Sequence, residues 1–236
     1  HGWAWKIPLN NRFGNGYVYS SDHTDPDAAE RELRKHIGLE DEAVEARHLK
    51  MRVGRAASSW NRNSLAVGLS QGFIEPLEAT ALMIVQDTLE NFITQYSAGD
   101  FTPKYRDEFN TKINLIFDSI KDYIFMHYKL NTRNDTPYWV ENRENSKVSD
   151  SVAQILHVWD NGGDLLAELK RQGPRLAYSP TSWFCILAGM GRFPRKPKKA
   201  KPRIQVNDPE EIRRYCESIT QEFPDHRDTI TAMHVK

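Results

Sequence analysis

The 236-residue chain has only two cysteines, Cys185 and Cys216, too far apart for metal-type spacing. A thiolate metal site is excluded on that count, and a reduced, cytoplasmic setting is expected. The eight histidines show no ligand spacing either, so no metal site is expected and zinc or haem chemistry is unsupported. No apolar run reaches the ~18 residues that a membrane span needs, and no signal-peptide pattern is present. Thirty-two basic residues balance 32 acidic ones. With zero net charge, nothing global steers the chain to nucleic acid or to a membrane surface. A dinucleotide fingerprint is also missing. GNGYVY at 14–19 lacks the third glycine, and no βα turn follows it.

What remains is an ordinary globular balance, 39% hydrophobic and 27% charged, in one large domain or two small ones. Residues 3–21 predict two strands: Trp3, Trp5 and Ile7 alternate, as do Tyr17 and Tyr19, with turn residues at Asn10-Asn11 and Gly14-Asn15-Gly16. Asp25-Pro26 predicts a helix start and Gly38 its stop, with acids early and bases late. A strand is expected over 44–55 and a short buried one over Ser64 to Gly68. From Leu82 the period becomes helical. Leu82, Val85, Leu89, Phe92, Ile93 and Tyr96 predict one face; Phe109, Ile113, Ile116, Ile120, Tyr123 and His127 predict a second. Residues 151–171 predict a third helix broken at Gly162-Gly163, and Asp208-Pro209 opens a fourth. The basic, Pro-rich stretch 192–203 reads as a solvated linker or as a contact for phosphate groups. An α+β fold follows, with strands confined to the first third and helices beyond it.

One stretch does not fit a bland reading. In GFIEPLEATAL, residues 72–82, Glu75 and Glu78 flank Pro76 just before a greasy helix. A helix start carries unsatisfied N–H groups and partial positive charge, which makes it an anion site. Read from the residues alone, Glu78 either stabilises the helix start, by ~0.3–1 kcal/mol, or belongs to a functional turn.

The same stretch resembles a loop of the flavin-dependent tryptophan halogenases, with pattern G-x-x-x-x-F-x-E-P-L-E-S-T-G. Here it runs from Gly68 through Phe73, Glu75, Pro76, Leu77 and Glu78 to Thr80 and Ala81. GWAWKIP resembles that family's W-x-W-x-I-P at Trp3, Trp5, Ile7 and Pro8. GNGYVYSS (14–21), RVGR (52–55), HYKLNTRNDTPYW (127–139) and CILAGMG (185–191) follow in the family's order. The resemblance thus spans almost the whole chain. Two residues depart from the loop pattern: Ala79 stands for Ser and Ala81 for Gly.

The resemblance implies a flavin-monooxygenase-like β-rich part over 1–98 and a mostly helical substrate module over 99–236. It implies halogenation of an indole-type aromatic such as tryptophan or indole. Reduced FAD, supplied by a separate flavin reductase, and chloride or bromide would give hypohalous acid. Glu78 is then the expected catalytic carboxylate, and the backbone N–H groups of Thr80 and Ala81 the halide contacts. Pro76 and Leu77 are the expected flavin contacts; Trp3, Trp5, Tyr178, Trp183 and Phe184 are the expected substrate contacts. The family's early catalytic lysine has no counterpart here, and HGWAWKIP has no lead-in. The expectation is a C-terminal portion whose N-terminal halogenase segment lies elsewhere, poor at binding FAD and inactive alone. A homodimer stays open. So do two other readings, a flavin-dependent aromatic monooxygenase and a non-catalytic aromatic-binding fragment.

Overall fold

A computed structural model of the chain describes residues 1–173, 176–194 and 208–234. Most of the stretch 192–203 therefore lies outside the described residues. Two compact units emerge, one of His1–Gly2 with Val18–Pro197, the other of Trp3–Tyr17 with Lys198–Lys236.

The chain opens with a two-stranded hairpin, β1 (Gly2–Pro8) and β2 (Phe13–Tyr19). The turn falls at 9–12, so Gly14-Asn15-Gly16 is strand rather than turn. Gly16 is there for close approach: a Cβ on it would lie 2.0 Å from the Trp5 ring. Trp3 and Trp5 share a strand face, their ring centroids 5.8 Å apart, while Ala4 and Lys6 face outward. In the same unit, helices α8 (Pro209–Thr220) and α9 (His226–His234) close the chain. Asp208 caps α8 as its composition predicts, accepting from the Glu210 N–H at 3.1 Å.

In the first unit, α1 (Pro26–Ile37) is capped by Asp25, which accepts from Ala28 N–H at 2.8 Å, and ends on left-handed Gly38. The strand expected over 44–55 shrinks to β3 (Gly54–Arg55), paired with β6 (Gly72–Phe73). The buried strand expected at 64–68 is only β5 (Ser64–Leu65), paired with β4 (Trp60–Asn61), and neither of its residues is buried. These segments have strand composition but too few neighbours to build a wide sheet.

Helix α2 (Ala81–Ala98) packs on α3 (Arg106–Lys129), the axis of the unit, which also meets α4 (Pro137–Glu144), α5 (Asp150–Asp160) and α7 (Pro180–Gly189). Gly162-Gly163 does interrupt the third helical stretch, separating α5 from α6 (Leu165–Gln172). The main core joins Met126 of α3 and Leu130 at its C-cap with Val152, Ile155, Leu165, Leu169, Trp183 and Leu187. A second, aromatic core sets Trp60 edge-on against Phe92, Tyr96 and Phe109. The face predicted for α2 is not the buried one: Leu82, Leu89 and Ile93 are exposed and Val85, Phe92 and Tyr96 half-buried, while the buried residues of the helix, Ile84 and Thr88, lie outside that set.

Within this unit, the polar residue Gln71 joins the segment around Ser59 to α2. Only 1% exposed, its amide donates to Ser59 Oγ at 3.1 Å and to Thr88 Oγ1 at 2.9 Å. The segment that leads into residues 72–80 is thereby tied to the middle of α2.

Candidate functional site

Pro76–Glu78 forms a single 3₁₀ turn, and Ala79 then adopts φ +52°, ψ +30° before α2 begins. That left-handed step is uncommon for a residue with a Cβ and holds strain of ~1 kcal/mol or more. Thr80 is 7% exposed but places no side-chain cap on α2, so the first N–H groups of the helix keep their donor capacity. Ala81 sits at the first helical position with ordinary helical geometry, so its Cβ costs no backbone strain.

Both acids of the turn are gripped by consecutive residues of α3. Tyr128 donates its hydroxyl proton to Glu75 Oε2 at 2.6 Å. His127 Nε2 lies 2.7 Å from Glu78 Oε1. The other His127 nitrogen, Nδ1, is 3.1 Å from the Tyr123 carbonyl. Burial, then the Glu75 charge, pushes Tyr138 up to about 12.

An aromatic cluster stands beside Glu78. Tyr123 and Tyr178 stack with centroids 3.8 Å apart and planes 22° from parallel. Trp183 meets Tyr123 edge-on at 5.1 Å, and His127 does so at 5.3 Å. The Tyr123 hydroxyl donates to the Ser182 carbonyl at 3.2 Å. Burial, then the nearby Glu78 charge, raises the pKa of both Tyr123 and Tyr178, so both are neutral phenols. The Tyr178 hydroxyl is enclosed and, by distance and angle, bonds to nothing; Thr80 interacts with it electrostatically without reaching hydrogen-bond geometry. Trp183 Nε1 is likewise enclosed without a partner.

The expected site residues are thus distributed unevenly. Glu78, Thr80 and Tyr178 come together. Trp183 is fully buried and forms the floor beneath Tyr123 rather than an open wall. Phe184, one residue on, packs edge-on against Trp159 at 5.8 Å. Trp3 and Trp5 belong to the second unit. His127, Tyr123 and Tyr128 enter the site although the helical pattern marks Tyr123 and His127 only as part of an apolar face and leaves Tyr128 off it. The one local signal is a polar His at a core-facing position, the first residue of the family-like run 127–139.

Apolar side chains are exposed next to this turn. Pro76 is exposed, Leu77 half-buried, and Leu69 and Leu82 are 83% and 82% exposed on segments either side of it. The uncapped start of α2 adds neutral N–H donors suited to a halide. Among the described residues, no cluster of three His, Cys, Asp or Glu converges as a metal site, and no helix is long and apolar enough to cross a membrane.

Comparison with known proteins gives one consistent picture. The tryptophan halogenase family model matches residues 1–232. Tryptophan 6-halogenase SttH of Streptomyces toxytricini is 36% identical over 209 residues, which cover 88% of this chain and 39% of that protein. The 7-chloro-L-tryptophan 6-halogenase KtzR of Kutzneria sp. (strain 744) is 37% identical, over 80% of this chain and 36% of its own. Among solved structures, a tryptophan C-6 flavin-dependent halogenase (chlorinase) from taromycin biosynthesis superposes with TM-score 0.84 at 32% identity, over 99% of this chain and 47% of that one. The chain spans about two fifths of the length of the curated relatives it matches.

Proposed function

This chain belongs to the tryptophan halogenase family, and on that premise we propose that it is the carboxylate-bearing part of a flavin-dependent halogenase acting on an indole-type ring. The observation that carries the reading is the Glu78 side chain, held at 2.7 Å by His127 beside the Tyr123–Tyr178 stack. The rest of the flavin-binding module is assigned to polypeptide outside this chain, because no dinucleotide fingerprint occurs within it.

Reduced FAD, delivered by a separate reductase, supplies with oxygen the oxidising equivalents that turn chloride or bromide into hypohalous acid. Pro76 and Leu77 would line the edge of the flavin ring, and the backbone N–H groups of Thr80 and Ala81 would hold the halide. The aromatic substrate would rest beside Tyr178, where stacking contributes ~0.5–1.5 kcal/mol beyond burial. Trp183 acts from beneath, by fixing Tyr123. As halogen adds to a ring carbon, the ring becomes cationic. Glu78 stabilises that charge and takes the proton as the C–H bond breaks and its electrons restore aromaticity.

The test is product analysis with the complete enzyme, a flavin reductase, NADH, and an indole substrate. Mass spectra should show a halogenated product that requires added bromide or chloride. A hydroxylated product formed equally well without halide would replace this reading with a monooxygenase, and no conversion of any aromatic would leave a binding fragment.

A further inference from the structure

Resting on that functional reading, the His127–Glu78 contact has its own consequence. A carbonyl can only accept, so the Tyr123 carbonyl commits the His127 Nδ1 proton at 3.1 Å. A neutral ring would then present only a lone pair at Nε2, facing a carboxylate oxygen 2.7 Å away. Two acceptors at that distance repel. Both contacts are satisfied only when the pair carries one further proton, as imidazolium with carboxylate or as neutral imidazole with carboxylic acid. The groups around the pair do not supply it. Tyr123, on the same helix, and Tyr178, on the segment before α7, face it as neutral phenols, with Thr80 on the acidic turn and Cys185 on α7 beyond Tyr123. Among the described residues no Lys or Arg pairs with Glu78, and its second oxygen, Oε2, makes no hydrogen bond.

We propose that His127 is a positioning residue for halogenation: it clamps one oxygen of Glu78 through a shared proton and leaves Oε2 as the oxygen that receives the substrate's ring proton. Atoms and charge balance. The ring carbon gains halogen and loses H⁺ to Oε2, the C–H electron pair returns to the ring, and the pair then sheds that proton to water.

The experiment compares His127→Phe, which removes the clamp, with His127→Gln, which keeps one N–H donor but carries no charge, both in the complete enzyme. For His127→Phe, kcat should fall about 100-fold while KM stays within about twofold. His127→Gln should recover part of the loss but show a displaced acid limb in its kcat–pH profile. Hypohalous acid captured by a soluble halogen acceptor should be undiminished in both. A second readout needs no flavin. In protein with ¹⁵N-labelled histidine, the His127 ring nitrogens should change protonation signature on Glu78→Gln. Where His127→Phe fails to fold by circular dichroism, His127→Gln and the nitrogen spectra decide. The proposal is overturned if both variants keep wild-type kcat and pH profile while Glu78→Gln abolishes turnover, or if the His127 spectrum ignores Glu78→Gln. If Glu78→Gln itself leaves turnover intact, it is the functional reading that fails.

Discussion

The Tyr128 hydroxyl donates to Glu75 Oε2 at 2.6 Å, joining the last turn of α3 to the acid that precedes Pro76. With His127 holding Glu78 on the other side of the same proline, two consecutive helix residues grip both acids of one turn. The acids that looked misplaced before a greasy helix are the turn's anchors to the neighbouring helix. Glu78 is thereby held from α3, and no side chain caps the start of α2.

Tyr128→Phe tests the first anchor. Tyr128 is 7% exposed and its bond is charge-assisted, so the loss should be ~1.5–3 kcal/mol. Urea unfolding of the variant should show a lower midpoint at unchanged slope, and turnover should fall with it because the turn that bears Glu78 loosens.

Thr88→Val tests the buried tie between Gln71 and α2. Thr88 is fully buried and its hydroxyl satisfies the amide of buried Gln71 at 2.9 Å. Valine is close in size but leaves that amide short of a partner, at a cost of ~1–3 kcal/mol. A thermal melt should drop by several degrees, and Gln71→Leu combined with Thr88→Val should recover stability relative to Thr88→Val alone, since neither partner then needs satisfying.

Alkaline stability tests the burial of Tyr138. Its folded value lies at about 12, above the ordinary 10.0. The unfolded chain therefore ionises first. The contribution is complete below pH 10 and is lost as pH rises towards 12. Stability measured by urea across pH 9 to 12 should decline less steeply in Tyr138→Phe than in wild type, with the difference confined to that window.

Gly16→Ala tests the packing of the hairpin. The added methyl would meet the Trp5 ring at 2.0 Å, so the indole must leave its place over the strand. Trp5 fluorescence, isolated by comparison with Trp5→Phe, should shift, while the circular dichroism of the helices stays unchanged.

Much of this was readable from residue order alone. Asp25 with Gly38 delimits α1, Gly162-Gly163 divides α5 from α6, and Asp208 starts α8, because caps and breakers act locally. Residues 44–53 failed for the complementary reason: β-prone composition makes a strand only where a partner edge exists, and here only Gly54–Arg55 finds one. The position of Glu78 in its turn was visible, but its partner was not, since His127 lies 49 positions further along the chain and only tertiary packing brings them to 2.7 Å. Trp183 and Phe184 illustrate the same limit. Neighbours on one helix face different surroundings, and Trp183 ends in the core while Phe184 packs on Trp159.

The measurement closest to the central claim is the halogenation rate of Glu78→Gln in the complete enzyme at saturating halide, with flavin oxidation followed in parallel. The account predicts that halogenated product falls by about 100-fold or more while flavin oxidation continues at its ordinary rate. Product formed by the glutamine variant as fast as by wild type would contradict it.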